Sequence, residues 1–580
     1  MGEYNQLSFI GGMNLLLDDT RLQSNQYRVG FNLRNRYDVL DTIPTSVVDI
    51  AAPVGIKQEL VTFGNYVILF SSGKAWYRRT DAEAWTQIDG FRMDATVPRY
   101  WTKAIPVATT QYARFGIANA TQAGVPDATL GVSLLNNIAA ASAGNLPGLL
   151  VQDNINQPQF IFIDKNGIPT CRITQTYKQW SIQFDTDGTT VLKDQREYVP
   201  VGNVMEWDGV TLYIASQDGN FIYRSVSGRP LDFVVNVNLD GSKGGDATTT
   251  SYSVGVGGIT CLRLMSSGAI FVAAGSANFS VSKNMTPNAP TLFGEYTFIR
   301  TFLFNASCLS DRAILDSLGD TKFIDFTGVR SFNAIEQLQN EGRNSPFTAT
   351  IQSALSGIVQ NPSFVSCILF DNYELYALQT NFGSVIAVYD TINTCWTSFD
   401  NSQTNGKRIK QFAKIELTVQ ALYAIAEDDN IYQLYAGTTN AIATVRTLGI
   451  SSTVLYANVD IKMNHPKSEV KPLDFRVVVN NLTEDCTLTL TPFVNNRLTQ
   501  TNVQPKTITY SDSVIPYTGN VVLPDIDTQM SNVIFSLPNC AQGWKAFYLL
   551  SWTSGSITQF STTMEDLTPM NPLRSQINTK

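Results

Sequence analysis

The chain has a single histidine, His465, among 580 residues. Ser-His-Asp chemistry and His-ligated zinc would both have to run through it. It sits before a Pro in KMNHPKS, with no GxSxG phrase and no His/Cys ligand spacing anywhere in the chain. Charge is scarce too: 16% of residues, against roughly 25% in ordinary soluble proteins. No Lys/Arg block appears and the net charge is −8, which argues against a phosphate-gripping surface and suits an acidic wall past which a nucleic acid slides. The cysteines (Cys171, Cys261, Cys308, Cys367, Cys395, Cys486 and Cys540) form no CxxC pair and are odd in number. They read as small core residues of a reduced, cytoplasm-assembled chain rather than a disulfide scaffold. No apolar run approaches the roughly 18 residues of a membrane helix. MGEYNQLSFIGG lacks the basic-then-apolar order of a signal peptide, and Gln6 breaks the myristoylation pattern that Gly2 would open.

What is abundant points to strands. Hydrophobic residues are 43%, aromatics 11%, and 39 Gly and 23 Pro supply turns. The length is too great for one ordinary core. Residues 1–50 read as an extended N-terminal arm that must pair with something distant. From about 51 to 445, short apolar segments alternate with turns: ELVTFGNYVILFSSGKAWYRRTDAEAWTQIDG (59–90), PQFIFIDKNGIPTCRITQTYKQWSIQFD (158–185), VMEWDGVTLYIASQDGNFIYRSVSGRPLDFVV (204–235), ITCLRLMSSGAIFVAAGSANFSVS (259–282), ILDSLGDTKFIDFTGVRSF (314–332), SFVSCILFDNYELYALQT (363–380) with VIAVYDTINTCWTSFDN (385–401), and LYAIAEDDNIYQLYAG (422–437). These six or seven irregularly spaced units of antiparallel strands are what a β-propeller of about six blades needs, with recurring Trp85, Trp180 and Trp396 available to fill the wedges. A sandwich or several small barrels would also accommodate the strand count. An Ala/Thr/Asn-rich insertion near 100–150 and a short helix near 346–358 interrupt the pattern. In the latter, Ser345 can cap, Pro346 suits the first turn, and Phe347, Ile351, Leu355 and Val359 repeat every fourth residue. Longer strands over 446–565 read as a β-sandwich, and 566–580 as an extended tail. The expected class is all-β.

The sequence nominates no catalytic residue, no cofactor site and no metal site. The carboxylate pairs Asp18/Asp19, Asp185/Asp187 and Asp428/Asp429 fall in turns, where Asp is a common turn former. FDTDGTT opens like a calcium loop but lacks the third ligand, the sixth-position Gly and the terminal Glu. SQDGNFIY (216–223) is similar to a sialidase Asp-box turn without its Trp, and no arginine triad accompanies it. SGK, GVGG and GSKGGD are fragments rather than phosphate loops. A glycoside hydrolase is the weakest expectation.

Several phrases, taken in order, resemble tail proteins of short-tailed phages. FIGGMNLLLDDTRLQSNQYRVGFNLRNRYDVLDTIP resembles their start. LYIASQDGNFIYRSVSGRPLDF carries Tyr213, Gly219, Ser225, Gly228, Pro230 and Phe233 at matching places. DTKFIDFTGVRSFNAIEQLQNEGRNSPFTATIQSAL, VIAVYDTINTCWTSFD and the SW ending at Trp552 continue the order. The 100–150 segment matches nothing in the family. The resemblance implies a non-enzymatic virion protein, a nozzle or tail tubular subunit. Its copies would close into a homo-oligomeric ring, a hexamer in this family. That ring would conduct or gate genomic DNA during ejection without sequence-specific binding. It would lie between the head–tail adaptor or portal-proximal proteins and tail fibres or spikes. The implied location is the virion tail, after assembly in the host cytoplasm. The alternative is a receptor- or glycan-binding propeller of a phage tail.

Overall fold

The computed structural model describes residues 2–6, 8–17, 22–36, 38–108, 145–164, 166–173, 179–184, 190–195, 199–225, 230, 233, 252–253, 258–265, 268–275, 277–283, 298–304, 306–333, 347–416, 420–446, 450–451, 470–480, 486–495, 500–502, 506–510, 531–537 and 545–566. The chain is nearly all β. Among the described residues, seven meander sheets of three or four strands follow one another over 57–87, 101–173, 202–253, 259–304, 314–331, 366–400 and 409–433, with a two-stranded hairpin, Gln179–Phe184 and Thr190–Gln195, between the second and third. The fifth has three strands, and each of the others reaches four by a run of antiparallel neighbours.

The middle strands of these sheets are buried on both faces, and period-2 alternation sends each face to a different neighbour. In Tyr66–Ser71, where every residue is buried, Tyr66, Ile68 and Phe70 pack against Leu149, Val151 and Ile161 of the second sheet. Val67 and Leu69 turn the other way, onto Ile415, Tyr423 and Ile425 of the seventh. Leu212 and Ile214 of the third sheet meet Phe160 and Phe162 of the second, while Tyr213 and Ala215 meet Leu262 and Val272 of the fourth. The ring of Phe271 lies 5.9 Å from that of Phe323, joining fourth to fifth. Sixth and seventh meet through Leu375, Val388, Phe412 and Leu422. Each fully buried Leu, Ile or Phe contributes about 1.5–3 kcal/mol.

The first strands of the sheets also lie side by side, and they carry charge. Lys103 pairs with Glu206 at 2.7 Å and Arg263 with Asp316 at 2.8 Å, each between consecutive sheets. Two pairs reach across: Arg99 to Asp311 at 2.7 Å, and Arg312 to Glu59. Arg312 also donates to the carbonyl of Gln58 at 2.9 Å, and Gln411 donates to the Glu59 carboxylate at 2.9 Å.

The 1–50 segment is not a free arm. Its strands are β1 (Gly2–Gln6), β2 (Gly12–Met13), β3 (Gln26–Tyr27), β4 (Val29–Phe31), β5 (Leu33–Arg36), β6 (Val39–Thr42) and β7 (Val47–Val48). β7 becomes the fourth strand of the seventh meander sheet. β1 and β6 pair with Ser556–Asp566. β4 lies between the outermost strand of the sixth sheet, Cys395–Asp400, and Ala443–Arg446. The C-terminal strands therefore form two sheets completed by the arm: one holds β1, β5 and β6, and the other runs through β4 into the sixth meander sheet as a single eleven-stranded sheet. Phe475, Tyr548, Phe560 and Phe9 join their inner faces, with ring centroids 4.5–5.6 Å apart.

The short helix is smaller than its sequence pattern suggests. A 3-10 turn, Ala349–Ile351, runs into one α-turn, Gln352–Leu355. Ser356 is already extended and Gly357 takes φ +77, which ends it; Ile351 and Leu355 are buried, whereas Val359 is exposed. The strands Trp101–Ala108 and Asn145–Gln152 pair along their whole length. They bracket the insertion, whose residues 109–144 lie outside the described residues, as do 567–580 and the side chain of Trp180.

Arg312→Ala tests the charged centre. Burial pushes the Glu59 carboxyl up, against the pull of Arg312, and the same burial works to lower the guanidinium, which nevertheless stays charged. A carboxyl raised in the folded state favours folding below its unfolded value and disfavours it as pH rises through its folded value; in the native chain Arg312 offsets that loss. Without Arg312, urea unfolding at pH 7 should show about 3–5 kcal/mol less stability. The deficit should shrink as pH falls through the variant's raised Glu59 value, and be gone once that carboxyl is protonated in both folded chains, which happens above the ordinary carboxyl range.

Candidate functional site: the dock for the N-terminal arm

The stretch Cys395–Ser402, CWTSFDNS, meets the arm almost residue by residue. Gly12 lies against its first two residues at φ +64; a Cβ there would stand 2.4 Å from the Trp396 carbonyl oxygen and 2.6 Å from Cys395 Sγ. Only glycine fits both the space and the left-handed backbone. Tyr27 Oη donates to the Thr397 carbonyl at 2.7 Å, fully buried, and burial raises its phenol well above its ordinary value. The Leu33 amide donates to Ser398 Oγ at 3.2 Å. Phe31 and Phe399 are register partners across the parallel β4 pairing, their rings 6.1 Å apart.

Two polar contacts fix the register. Arg34 pairs with Asp400 at 2.7 Å, with 11% and 0% of their side chains exposed. Asp400 also accepts from Ser398 Oγ at 2.7 Å and Tyr435 Oη at 2.8 Å. The guanidinium stacks on Tyr373 and Tyr435, 5.2 and 4.8 Å from their centroids. Burial works to lower the Arg34 pKa, but the Asp400 carboxylate overrides it and the net shift is upward. Tyr435 holds φ +56, uncommon for a bulky residue, with its amide bonded to Gln403 Oε1 at 2.9 Å.

Asn32 is the second anchor. Its backbone takes φ +54, which Asn tolerates better than most residues. Its Nδ2 donates to Asn401 Oδ1 at 2.9 Å and to the Ile442 carbonyl at 3.2 Å. Its Oδ1 accepts from the Asn401 amide, the Ser402 amide and Ser402 Oγ at 3.1, 3.2 and 2.9 Å. One side chain thus ties the arm both to the link after the sixth sheet and to the chain entering the C-terminal sheets.

Behind the dock, Trp396 is 3% exposed. Its ring sits 5.3–5.6 Å from Tyr389, Tyr376 and Phe347. Beside it Lys322 pairs with Glu374 at 2.6 Å, and its ammonium lies over Phe347 and Tyr389 at 4.5 and 4.9 Å. Trp396 shares one buried cluster with Phe323 and Val329 of the fifth sheet and Tyr376 of the sixth, directly behind the arm's landing strip. Trp85 lies on the first sheet, stacked 4.3 Å from Arg78 and donating to Asp49 at 3.3 Å.

Residues singled out for chemistry occupy turns. Asp428 accepts from the Asn430 amide at 3.2 Å and Tyr432 Oη at 2.8 Å; Asp429 holds Lys410 at 2.6 Å and the Lys57 amide at 3.1 Å. In the 216–223 turn, Ser216 Oγ accepts from the Asn220 and Phe221 amides at 3.1 and 3.0 Å. Ser216 and Asn220 pull the Asp218 carboxyl down to about 2. Asp18, Asp19, Asp185, Asp187, His465, Cys540 and 241–246 lie outside the described residues. Among the described residues, no cluster of three or more His, Cys, Asp or Glu could hold a metal, and no helix is long and apolar enough to cross a membrane.

No family model and no curated protein matches the chain. Solved structures with partial likeness include the extracellular domain of a one-component system from B. thetaiotaomicron, at 10% identity and TM-score 0.36, covering 89% of this chain. The chain spans 61% of that domain's length. Others are the type-IX secretion component PorZ of Porphyromonas gingivalis, at 11% identity and TM-score 0.22, covering 88% of this chain and 86% of PorZ, and an exo-beta-1,3-galactanase from Phanerochaete chrysosporium, at 9% identity and TM-score 0.20, covering 66% of this chain and all of the enzyme chain (100%).

Paired substitutions at Asn32 separate its bonds from its backbone. Asn32→Gly and Asn32→Ala both remove the side-chain bonds and should each lose roughly 1–3 kcal/mol in urea unfolding. Asn32→Ala should lose about 1 kcal/mol more, because alanine resists a left-handed backbone that glycine accepts. Equal losses would mean that the backbone relaxes.

Proposed function

We propose that this chain is a structural subunit of the tail of a short-tailed phage. In this reading the seven meander sheets close into a propeller, and copies of the chain form a ring-shaped nozzle. That ring is sixfold by family resemblance, and genomic DNA passes through it. The work is mechanical: the ring connects the head–tail adaptor to fibres or spikes and conducts or gates DNA.

The observation that carries the proposal is the fastening of the chain to itself. β7 completes the seventh sheet, β4 welds the sixth sheet to the C-terminal sheets, and β1 pairs with Ser556–Asp566. A body laced at both ends resists being pulled apart, as a conduit under load requires. The phage-like phrases at 9–44 and 385–400 are the two halves of this fastening. The charged centre also fits: four cations, Arg99, Lys103, Arg263 and Arg312, meet four anions, Glu59, Glu206, Asp311 and Asp316. Those eight charges cancel and the first strands add Lys57, Lys410, Lys414 and Glu416, so an acidic wall for DNA must be built from other surfaces of a chain whose net charge is −8.

Antibodies against the full chain should decorate the tails of the source phage particles, and electron micrographs should place the antigen in a ring on the tail axis. A particle preparation without the chain would overturn the proposal. The purified chain should leave duplex DNA unretarded even at low salt; a complex that weakens steeply with salt would refute passage past an acidic wall. Specific capture by a glycan array would favour the receptor-binding alternative.

A further inference from the structure

Among the described residues, the strand pairs and backbone hydrogen bonds that leave residues 2–48 all end on residues 350–566. The strand pairs go to Cys395–Asp400, Ile431–Gln433, Ala443–Arg446 and Ser556–Asp566. Leu15 and Leu16 donate to the Thr350 carbonyl, and Thr45 donates to the Thr439 carbonyl. The arm is thus a ligand of the distal half of the chain. Its covalent link to the first meander sheet is the turn over 49–56, at the surface, where Ile50 and Val54 are 94% and 99% exposed. That turn is fastened at its two ends: the Asp49 amide donates to the Ile431 carbonyl at 2.9 Å and the Asp49 carboxylate holds Arg78 at 2.9 Å and Trp85 Nε1 at 3.3 Å, while the Ile56 carbonyl accepts from the Ser72 amide at 2.9 Å and Lys57 Nζ donates to the Gly55 and Pro53 carbonyls.

We propose that the arm is exchangeable between copies: residues 2–48 of one chain occupy the Cys395–Ser402 dock of the next, with the turn over 49–56 as the hinge. The occupant is a second copy of this chain because the dock matches this arm's own chemistry. The Asp400 carboxylate faces Arg34, Asn401 and Ser402 bracket Asn32, and the Trp396 carbonyl demands a glycine at position 12. Every contact formed within a chain is available unchanged between chains, so exchange costs little beyond straightening the hinge. Eight residues extended can span up to about 26–29 Å. The swap also gives a ring a head-to-tail joint, since each copy donates an arm and receives one. This rests on reading the chain as one copy in a ring.

Two full-length variants test it. Glu3 and Thr563 are register partners in the β1 pairing, as are Tyr4 and Thr562. Neighbouring antiparallel pairs alternate between Cα spacings of about 5.5 and 4.5 Å, and both lie within disulfide reach. Chains carrying Glu3→Cys alone and Thr563→Cys alone are co-expressed and oxidised; the Tyr4/Thr562 pair is run in parallel, and each double variant shows closure within one chain. Intermolecular disulfides joining the single variants, more abundant at higher chain concentration and absent when either Cys is omitted, are expected. Double variants that close within a chain while mixed single variants never join would overturn the proposal. So would single variants that join equally well without the partner Cys. The ring is read separately, by native mass of the unmodified chain and by particle images. A ring whose arms stay within their own chains ends this inference and leaves the nozzle reading standing.

Discussion

The structure depends on one strand of three residues. Val29–Phe31 has the sixth meander sheet on one side and the C-terminal sheets on the other. Bringing it there closes a loop of about 370 residues, the separation between Tyr27 and Thr397. The entropy of closing so long a loop is on the order of 5 kcal/mol beyond a constant. A single hydrogen bond, worth about 1 kcal/mol net, cannot offset that. The ladder of contacts from Gly12 to Arg34 answers this size: a buried ion pair, a five-bond asparagine and a phenylalanine pairing act at once. Because the closure is shared among them, the dock is formed or lost as a unit.

The same arithmetic explains the balance of charge and apolar surface elsewhere. Sheets packed face on face bury nearly every residue of their middle strands, as in Tyr66–Ser71. The first strands crowd together, and there the chain places ion pairs rather than more aliphatics. A buried pair is weak evidence for stability but costly to break. The more buried pairs, Arg312–Glu59 and Lys103–Glu206, therefore help specify which sheet stands beside which, while the apolar faces supply most of the free energy.

The strands were legible because their signals are local. Alternation, SSGK, QDGN and EDDN turns and Gly/Asp punctuation mark most of the meander strands by short-range chemistry. The pairing of an arm with a segment 360 or more residues away leaves no such local mark. That the arm needs a distant partner was legible, but not which one: Arg34 in NLRNR and Asp400 in SFDNS are charged residues inside strand-like runs, each asking for a partner that sequence order does not name. The helix came out at one turn because the every-fourth spacing of Phe347, Ile351, Leu355 and Val359 ignores the extended Ser356 and the left-handed Gly357. The Trp in VIAVYDTINTCWTSFDN was legible as buried, but its purpose belongs to the arm that lands in front of it.

An arm so fully engaged constrains how copies can meet. If each arm stays in its own dock, any contact between copies must use other surfaces, where exposed aliphatics such as Leu318 and Ile392, at 73% and 70% exposure, are scattered. If arms pass between copies, the strongest interface in the molecule, already complementary at Gly12, Asn32 and Arg34, becomes the joint between subunits and needs no further surface. In either arrangement the seventh sheet lacks its fourth strand, and the sixth its link to the C-terminal sheets, until an arm arrives.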